Sequence, residues 1–120
     1  MISVVTDAMA LARAASARGG LSVGRSYHSA TLLPDGTTLL LCRVEDRRGH
    51  SHLCAARSAN GVDGWVIDPA PTFQADPERY PEEVWGVEDP RITYVPELES
   101  YAVVYTAYSR DGPGIALAFT

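Results

Sequence analysis

Lysine is absent from this chain of 120 residues, and its ten basic side chains are all arginines. Fifteen acidic residues outnumber them, the formal net charge is −5, and the arginines nowhere form a basic run. An acidic chain without a basic stripe has no electrostatic footprint for nucleic acid or for an anionic membrane surface. Cysteine is nearly absent as well. Cys42 and Cys54 are too few for a disulfide framework, and both lie in apolar, strand-like segments where a free thiol behaves as a small hydrophobe. His50 and His52 beside Cys54 are the only residues with metal-ligand chemistry at close spacing, and no second pair completes a zinc site, so neither a metal nor another cofactor is expected. No apolar run is long enough for a membrane helix or a signal-peptide core, and Asp7 interrupts the first candidate. A cytoplasmic protein is therefore expected.

What is present is ordinary for a globular chain: 46% hydrophobic and 21% charged residues, with ten glycines and eight prolines that imply many turns. One domain, or a piece of one, fits the length. Residues 1–20 read as an N-terminal extension with a short helix. Thr6 is placed to cap it, Asp7 favours the positive end of its dipole, Ala8 to Ala17 is rich in the best helix former, and Gly19 is a stop. Ile2 to Val5 reads as a short extended start, able to serve as an edge strand.

From Ser26 the hydrophobic period changes to two. Tyr27 to Leu33, the turn Pro34-Asp35-Gly36 and Thr37 to Val44 predict a hairpin, Ser51 to Ser58 a third strand, and the turn from Asn60 to Gly64 leads to a fourth near Trp65 or Val66. Pro69 to Tyr80 reads as a long surface excursion, because each X-Pro step disfavours helix. A second meander follows: Arg91 to Val95, Tyr101 to Tyr108, and Ile115 to Thr120 after the turn Ser109 to Gly114. The fold class is mainly β, built from antiparallel four-stranded meanders of the kind that form propeller blades, with residues 21–120 as the β domain. Only three strands of the second meander are visible.

The stretch Trp85-Gly86-Val87-Glu88-Asp89-Pro90-Arg91-Ile92-Thr93 sits between these meanders and carries the chemistry. Adjacent carboxylates repel, and when buried they must be paired or hydrogen-bonded. A solvated loop with an incidental Glu-Arg contact is the bland alternative. Pro90 fixes the local chain direction, which suits holding neighbouring side chains in one pose.

Gly86 to Thr93, followed by Tyr101 and by Tyr105-Thr106-Ala107-Tyr108, resembles the signature of glycoside hydrolase family 130, the β-mannoside phosphorylases and related mannosidases. Leu39 to Val44 resembles the family's strand ending in Arg-Val, and Ser51 to Ser58 followed by Asp63-Gly64-Trp65 resembles its next strand and turn. The similarity runs from about Tyr27 to Thr120. It implies a five-bladed β-propeller with sugar in the central channel, of which this chain supplies about two blades. It also implies that Asp89 is the catalytic aspartate, a general acid acting through a hydroxyl of the bound mannosyl residue, with inversion by phosphate in phosphorylases or by water in hydrolases. Arg43, Glu88 and Arg91 match positions that shape the sugar site. Tyr105 and Tyr108 are further substrate-binding candidates, though as strand residues they suit the core equally well. Inorganic phosphate is the expected co-substrate of a phosphorylase, and a β-mannoside or other oligosaccharide the expected partner.

Two departures accompany the resemblance. The family's Asn-Pro pair in the first strand is replaced by Tyr27-His28-Ser29-Ala30, and the later blades that hold the phosphate-binding or base residues have no counterpart. A truncated, glycosidase-related chain is therefore expected, inactive alone or completed by further copies in a homo-oligomer. The alternative is a non-catalytic carbohydrate-binding or oligomerising β-sheet module. Five-bladed glycosidases acting on furanosides match the Glu-Asp-Pro-Arg pattern less well.

Overall fold

A computed structural model describes residues 28–120. The N-terminal helix and the extended start at Ile2 to Val5 lie outside the described residues. Seven strands form two antiparallel meanders. The first sheet has the order β1 (His28–Leu32), β2 (Thr38–Glu45), β3 (Ser51–Ser58), β4 (Val66–Ile67), and the second β5 (Val87–Val95), β6 (Ser100–Ser109), β7 (Gly112–Phe119). The described architecture is thus mainly β. Among the described residues the second sheet has three strands rather than the four of a complete meander, and the two sheets do not close a ring of blades.

Turn chemistry sets the hairpins. At the β1–β2 turn, Gly36 adopts φ +86°, and Asp35 accepts a hydrogen bond from the Thr37 amide at 2.9 Å, the side-chain-to-backbone pattern that makes Asp a turn former. Between β2 and β3, Asp46 Oδ1 accepts from the amides of Arg48 and His50 while Oδ2 accepts from the Arg48 guanidinium. The Arg48 side chain, with help from these amides, holds the Asp46 carboxyl well below the usual range. The β6–β7 connection is shorter than the sequence suggests. Strand pairing continues to Ser109↔Gly112, so Gly112, Pro113 and Gly114 belong to β7 despite their turn-like composition.

One core joins the two sheets. Leu41, Leu53 and Ala55 from the first pack with Val87, Ile92, Val103, Tyr105 and Ala107 from the second. A smaller buried cluster, Leu40, Cys42, Val44, Cys54 and Ala56, occupies the other face of the first sheet. Strand alternation accounts for the division, since successive residues of β2 and β3 point to opposite faces. Burial of β3 on both faces follows, and its middle, Leu53 to Ala56, is correspondingly apolar.

The sheets are also tied by polar contacts. Ser29 Oγ accepts from the Ile92 amide at 2.9 Å, and Ser51 pairs with Gly86 as an isolated parallel bridge. The Pro-rich segment is anchored rather than wholly superficial. Phe73 exchanges two backbone hydrogen bonds of 2.9 Å with Leu53 and sets its ring edge-on to Tyr105 with centroids 4.9 Å apart, extending the outer edge of β3 beyond the two-residue β4.

Candidate functional site

The motif expected as a loop before a strand is itself the start of β5. Val87 and Glu88 pair with Ala107 and Thr106, pairing resumes at Arg91↔Val104, and the register shifts between. Asp89 and Pro90 therefore face a single residue of β6, a β-bulge that re-aims side chains at the strand start. Asp89 adopts φ +47°, a left-handed conformation that aspartate tolerates better than most residues. Pro90, fully buried, needs no ladder partner and fits the unpaired position.

Gly86 lets this bulge approach the first sheet. Its φ is +111°, and a Cβ there would lie 2.6 Å from both the amide nitrogen and the carbonyl oxygen of Ser51. Any side chain would push the two sheets apart at the site. Only glycine satisfies both the backbone angle and the contact.

Across this junction Arg43 uses its whole guanidinium. Nε donates to Ser51 Oγ at 2.9 Å, Nη2 to Glu88 Oε1 at 3.0 Å and Nη1 to Asp89 Oδ1 at 3.3 Å. Glu45 lies 3.8 Å from Nη2. The Arg43 and Glu88 side chains retain 18% and 19% of their exposure, and Asp89 retains 34%. The pair is sheltered while Asp89 stays open to a ligand. A planar fork spanning two acceptors and a hydroxyl is arginine's geometry and not lysine's.

The structure thus brings together Arg43, Glu88 and Asp89 from the sequence-derived set. It places the other three elsewhere. Arg91 is exposed and donates to the carbonyl of its neighbour Pro90 at 2.9 Å. Tyr105 is buried, and its hydroxyl donates to Glu83 Oε1 at 2.6 Å. Burial first and the Glu83 carboxylate second push that phenol's pKa upward. Tyr108 lies on the opposite face of β6, exposed, with its ring 5.4 Å from that of Trp85.

Sequence reasoning missed two contributors. Ser51, fully buried, orients Arg43; it was findable from the hairpin, because Glu45↔Ser51 and Arg43↔Leu53 pairing puts it diagonal to Arg43 on one face. Glu83 has no sequence signal. It is a buried carboxylate that accepts from the Asp76 amide at 2.9 Å and from Tyr105, and it braces the segment leading into the motif. Among the described residues no group of three or more His, Cys, Asp and Glu could hold a metal. His52 turns to Asp46 at 3.4 Å, and its buried Nδ1 has no hydrogen-bond partner.

No helix among the described residues is long and apolar enough to cross a membrane. Comparison with protein-family models gives no match, and none of the curated proteins matches. Solved structures do match. One, from work on the GH130 family of mannoside phosphorylases and on glycoside hydrolases that target β-1,2 mannosidic linkages in Candida mannan, is 30% identical, with a TM-score of 0.72 over 82% of this chain. A glycosyl hydrolase from Bacteroides ovatus is 31% identical, with a TM-score of 0.72 over 82% of this chain. A Parabacteroides distasonis protein is 27% identical, with a TM-score of 0.71 over the same share. The chain spans 29–30% of the length of these structures. In fold and in sequence, this chain is a relative of the GH130 glycoside hydrolases and mannoside phosphorylases, matching just under a third of their length.

Proposed function

We propose that Arg43, Glu88 and Asp89 form one side of a carbohydrate site that acts on β-mannosides, with Asp89 as the general acid. The Arg43 fork across both carboxylates is the observation that carries this reading. It fixes Glu88 and one oxygen of Asp89 while leaving Asp89 accessible, as a group that must meet a sugar hydroxyl requires. Among the described residues Asp89 Oδ2 has no hydrogen-bond partner, so it is available to that hydroxyl. The two meanders act as blades of a propeller-type fold, and the start of β5 faces the sugar.

In this mechanism Asp89 delivers its proton through a hydroxyl of the bound mannosyl residue to the departing oxygen. A nucleophile, phosphate or water, attacks the anomeric carbon from the opposite face and inverts it. Arg43 and Ser51 hold the acid's position. Assays of phosphorolysis and hydrolysis of β-1,2-mannobiose and aryl β-mannosides, with Asp89→Asn as control, test the reading. Activity that survives the substitution unchanged removes Asp89 from the role.

A second reading, a non-catalytic module that associates through its sheets, is favoured by β7. This edge strand carries no charged residue, and Ile115, Leu117 and Phe119 are 89%, 55% and 54% exposed on one face. An uncharged edge with an apolar face drives association. Light scattering at micromolar concentration reads this directly: a homo-oligomer that Leu117→Lys dissociates supports it, and a monomer counts against it.

A further inference from the structure

The turn that joins β3 to β4 takes no part in the Asp89 site, and it holds the chain's sole asparagine directly before a glycine. Asn60 is exposed and is the hub of the turn. Its Oδ1 accepts from the amides of Val62 at 2.9 Å and Asp63 at 3.0 Å, and its Nδ2 donates to Asp63 Oδ1 at 2.8 Å. Gly61 is buried with φ +71°, and a Cβ there would lie 2.8 Å from Thr38 Oγ1. Asparagine suits a turn because its side chain bonds the backbone ahead of it, and glycine because it takes positive φ freely. The turn therefore calls for Asn-Gly, the pair in which an unhindered amide nitrogen most readily attacks the preceding carboxamide. Here that amide is turned to another acceptor. The Gly61 N–H donates at 3.0 Å to Oγ of Ser58, a residue only 2% exposed.

We propose that Asn60–Gly61 is a self-modification site, held closed by Ser58 and released when this turn opens. In the opened turn the Gly61 nitrogen gives its proton to solvent and bonds to Asn60 Cγ. The Cγ–Nδ2 bond breaks, ammonia leaves with a proton taken from water, and a succinimide ring remains. Water then opens either carbonyl–nitrogen bond of the ring, giving aspartate or isoaspartate at position 60. Water is the only co-reactant. In the closed turn the reaction is held off, because the Gly61 N–H is buried against Ser58 Oγ and the carboxamide is fixed by Val62 and Asp63. The free energy of opening this turn then sets the rate. The step runs one way. Either product puts a carboxylate where Nδ2 donated to Asp63, so two like charges meet, and isoaspartate also lengthens the backbone of the turn. Trp65 and Ile67, which follow it and pack on the cluster of Leu40, Cys42, Val44, Cys54 and Ala56, then lose the turn that positions them.

Mass spectrometry of the full chain incubated at pH 8 tests this. Without lysine, trypsin cuts only after arginine, so residues 58–79 form one peptide that contains Asn60, and exchange of its NH2 for OH is read as a mass gain. The native chain is expected to deamidate roughly tenfold or more slowly than the chain unfolded in guanidinium chloride, because the turn must open first. Ser58→Ala, which frees the Gly61 amide, is expected to narrow that gap severalfold. Hydrogen exchange at the Gly61 amide of the native chain measures the same opening without a variant and is expected to show a matching slowing. Asn60→Asp, which carries the charge of one product, is expected to melt below the native chain. Equal native and unfolded rates, an unprotected Gly61 amide, or a gap that Ser58→Ala leaves unchanged overturns the closure. Absence of a mass gain even in the unfolded chain overturns the site, and native melting of Asn60→Asp overturns its one-way consequence.

Discussion

Arg43 on β2 and Asp89 at the start of β5 are 46 residues apart in the chain and 3.3 Å apart in space. The Arg43 guanidinium reaches Glu88 at 3.0 Å with its other terminal nitrogen. This contact joins the two sheets at the candidate site. Arg43→Ala leaves two half-sheltered carboxylates side by side without their cation, and is expected to lower stability by about 1–3 kcal/mol, less than at a fully buried pair because water screens the remainder. Arg43→Lys should recover little, because an ammonium cannot span Ser51, Glu88 and Asp89 at once. Urea unfolding of the three proteins measures both effects. Full recovery by lysine would mean that charge alone matters and the fork does not.

Gly86→Ala is expected to be among the most damaging single substitutions. It combines a positive φ with a Cβ placed 2.6 Å from the Ser51 backbone, and a loss of about 3 kcal/mol or more should follow. Thermal unfolding followed by circular dichroism is sufficient to see it. A near-native melting temperature would show that the sheets separate here without strain.

Tyr105 and Glu83 separate a core role from a ligand role. Tyr105→Phe keeps the ring against Phe73 but removes the donor to Glu83, and about 1–2 kcal/mol of stability should be lost. Sugar affinity should hold in the fraction that remains folded, because the hydroxyl removed bonds Glu83 and takes no part in the hydrogen bonds that join Arg43 to Glu88 and Asp89. A variant of full stability that binds sugar poorly would return Tyr105 to the site.

The two thiols face each other as Cys42↔Cys54. The amide and carbonyl of Leu53 bond outward to Phe73, and those of Ala55 to the Thr72 hydroxyl and the Asp68 amide. Alternation along β3 then makes Cys42↔Cys54 the hydrogen-bonded and wider type of pair, less suited to a disulfide. Burial, with the neighbouring thiol second, pushes the Cys42 pKa up to about 12, and burial also raises that of Cys54. A raised native value means that the unfolded thiol ionises first. Stability from this source is complete below the ordinary thiol range and falls as pH climbs from there towards about 12. Both cysteines should resist alkylation at pH 8 until denaturant is added, and mass spectrometry counts the adducts. Rapid native labelling would contradict their burial.

The sequence by itself determined which segments form strands, because their period of two and their turn residues are local properties, although β5 and β7 begin earlier than that pattern shows. Ser51 to Ser58 has the bounds read from its pattern. The Glu88-Asp89-Pro90-Arg91 cluster was legible as the seat of chemistry for a similar reason, since adjacent carboxylates demand a partner. Local pattern could not name that partner. Arg91, the near arginine, turns to the Pro90 carbonyl, and the distant Arg43 takes both carboxylates. The bulge at Asp89 and Pro90, the approach of Gly86 to Ser51 and the burial of Glu83 against Tyr105 all depend on how one sheet packs on the other. Packing compares the energies of contacts far apart in sequence, so only the tertiary structure decided which charges meet.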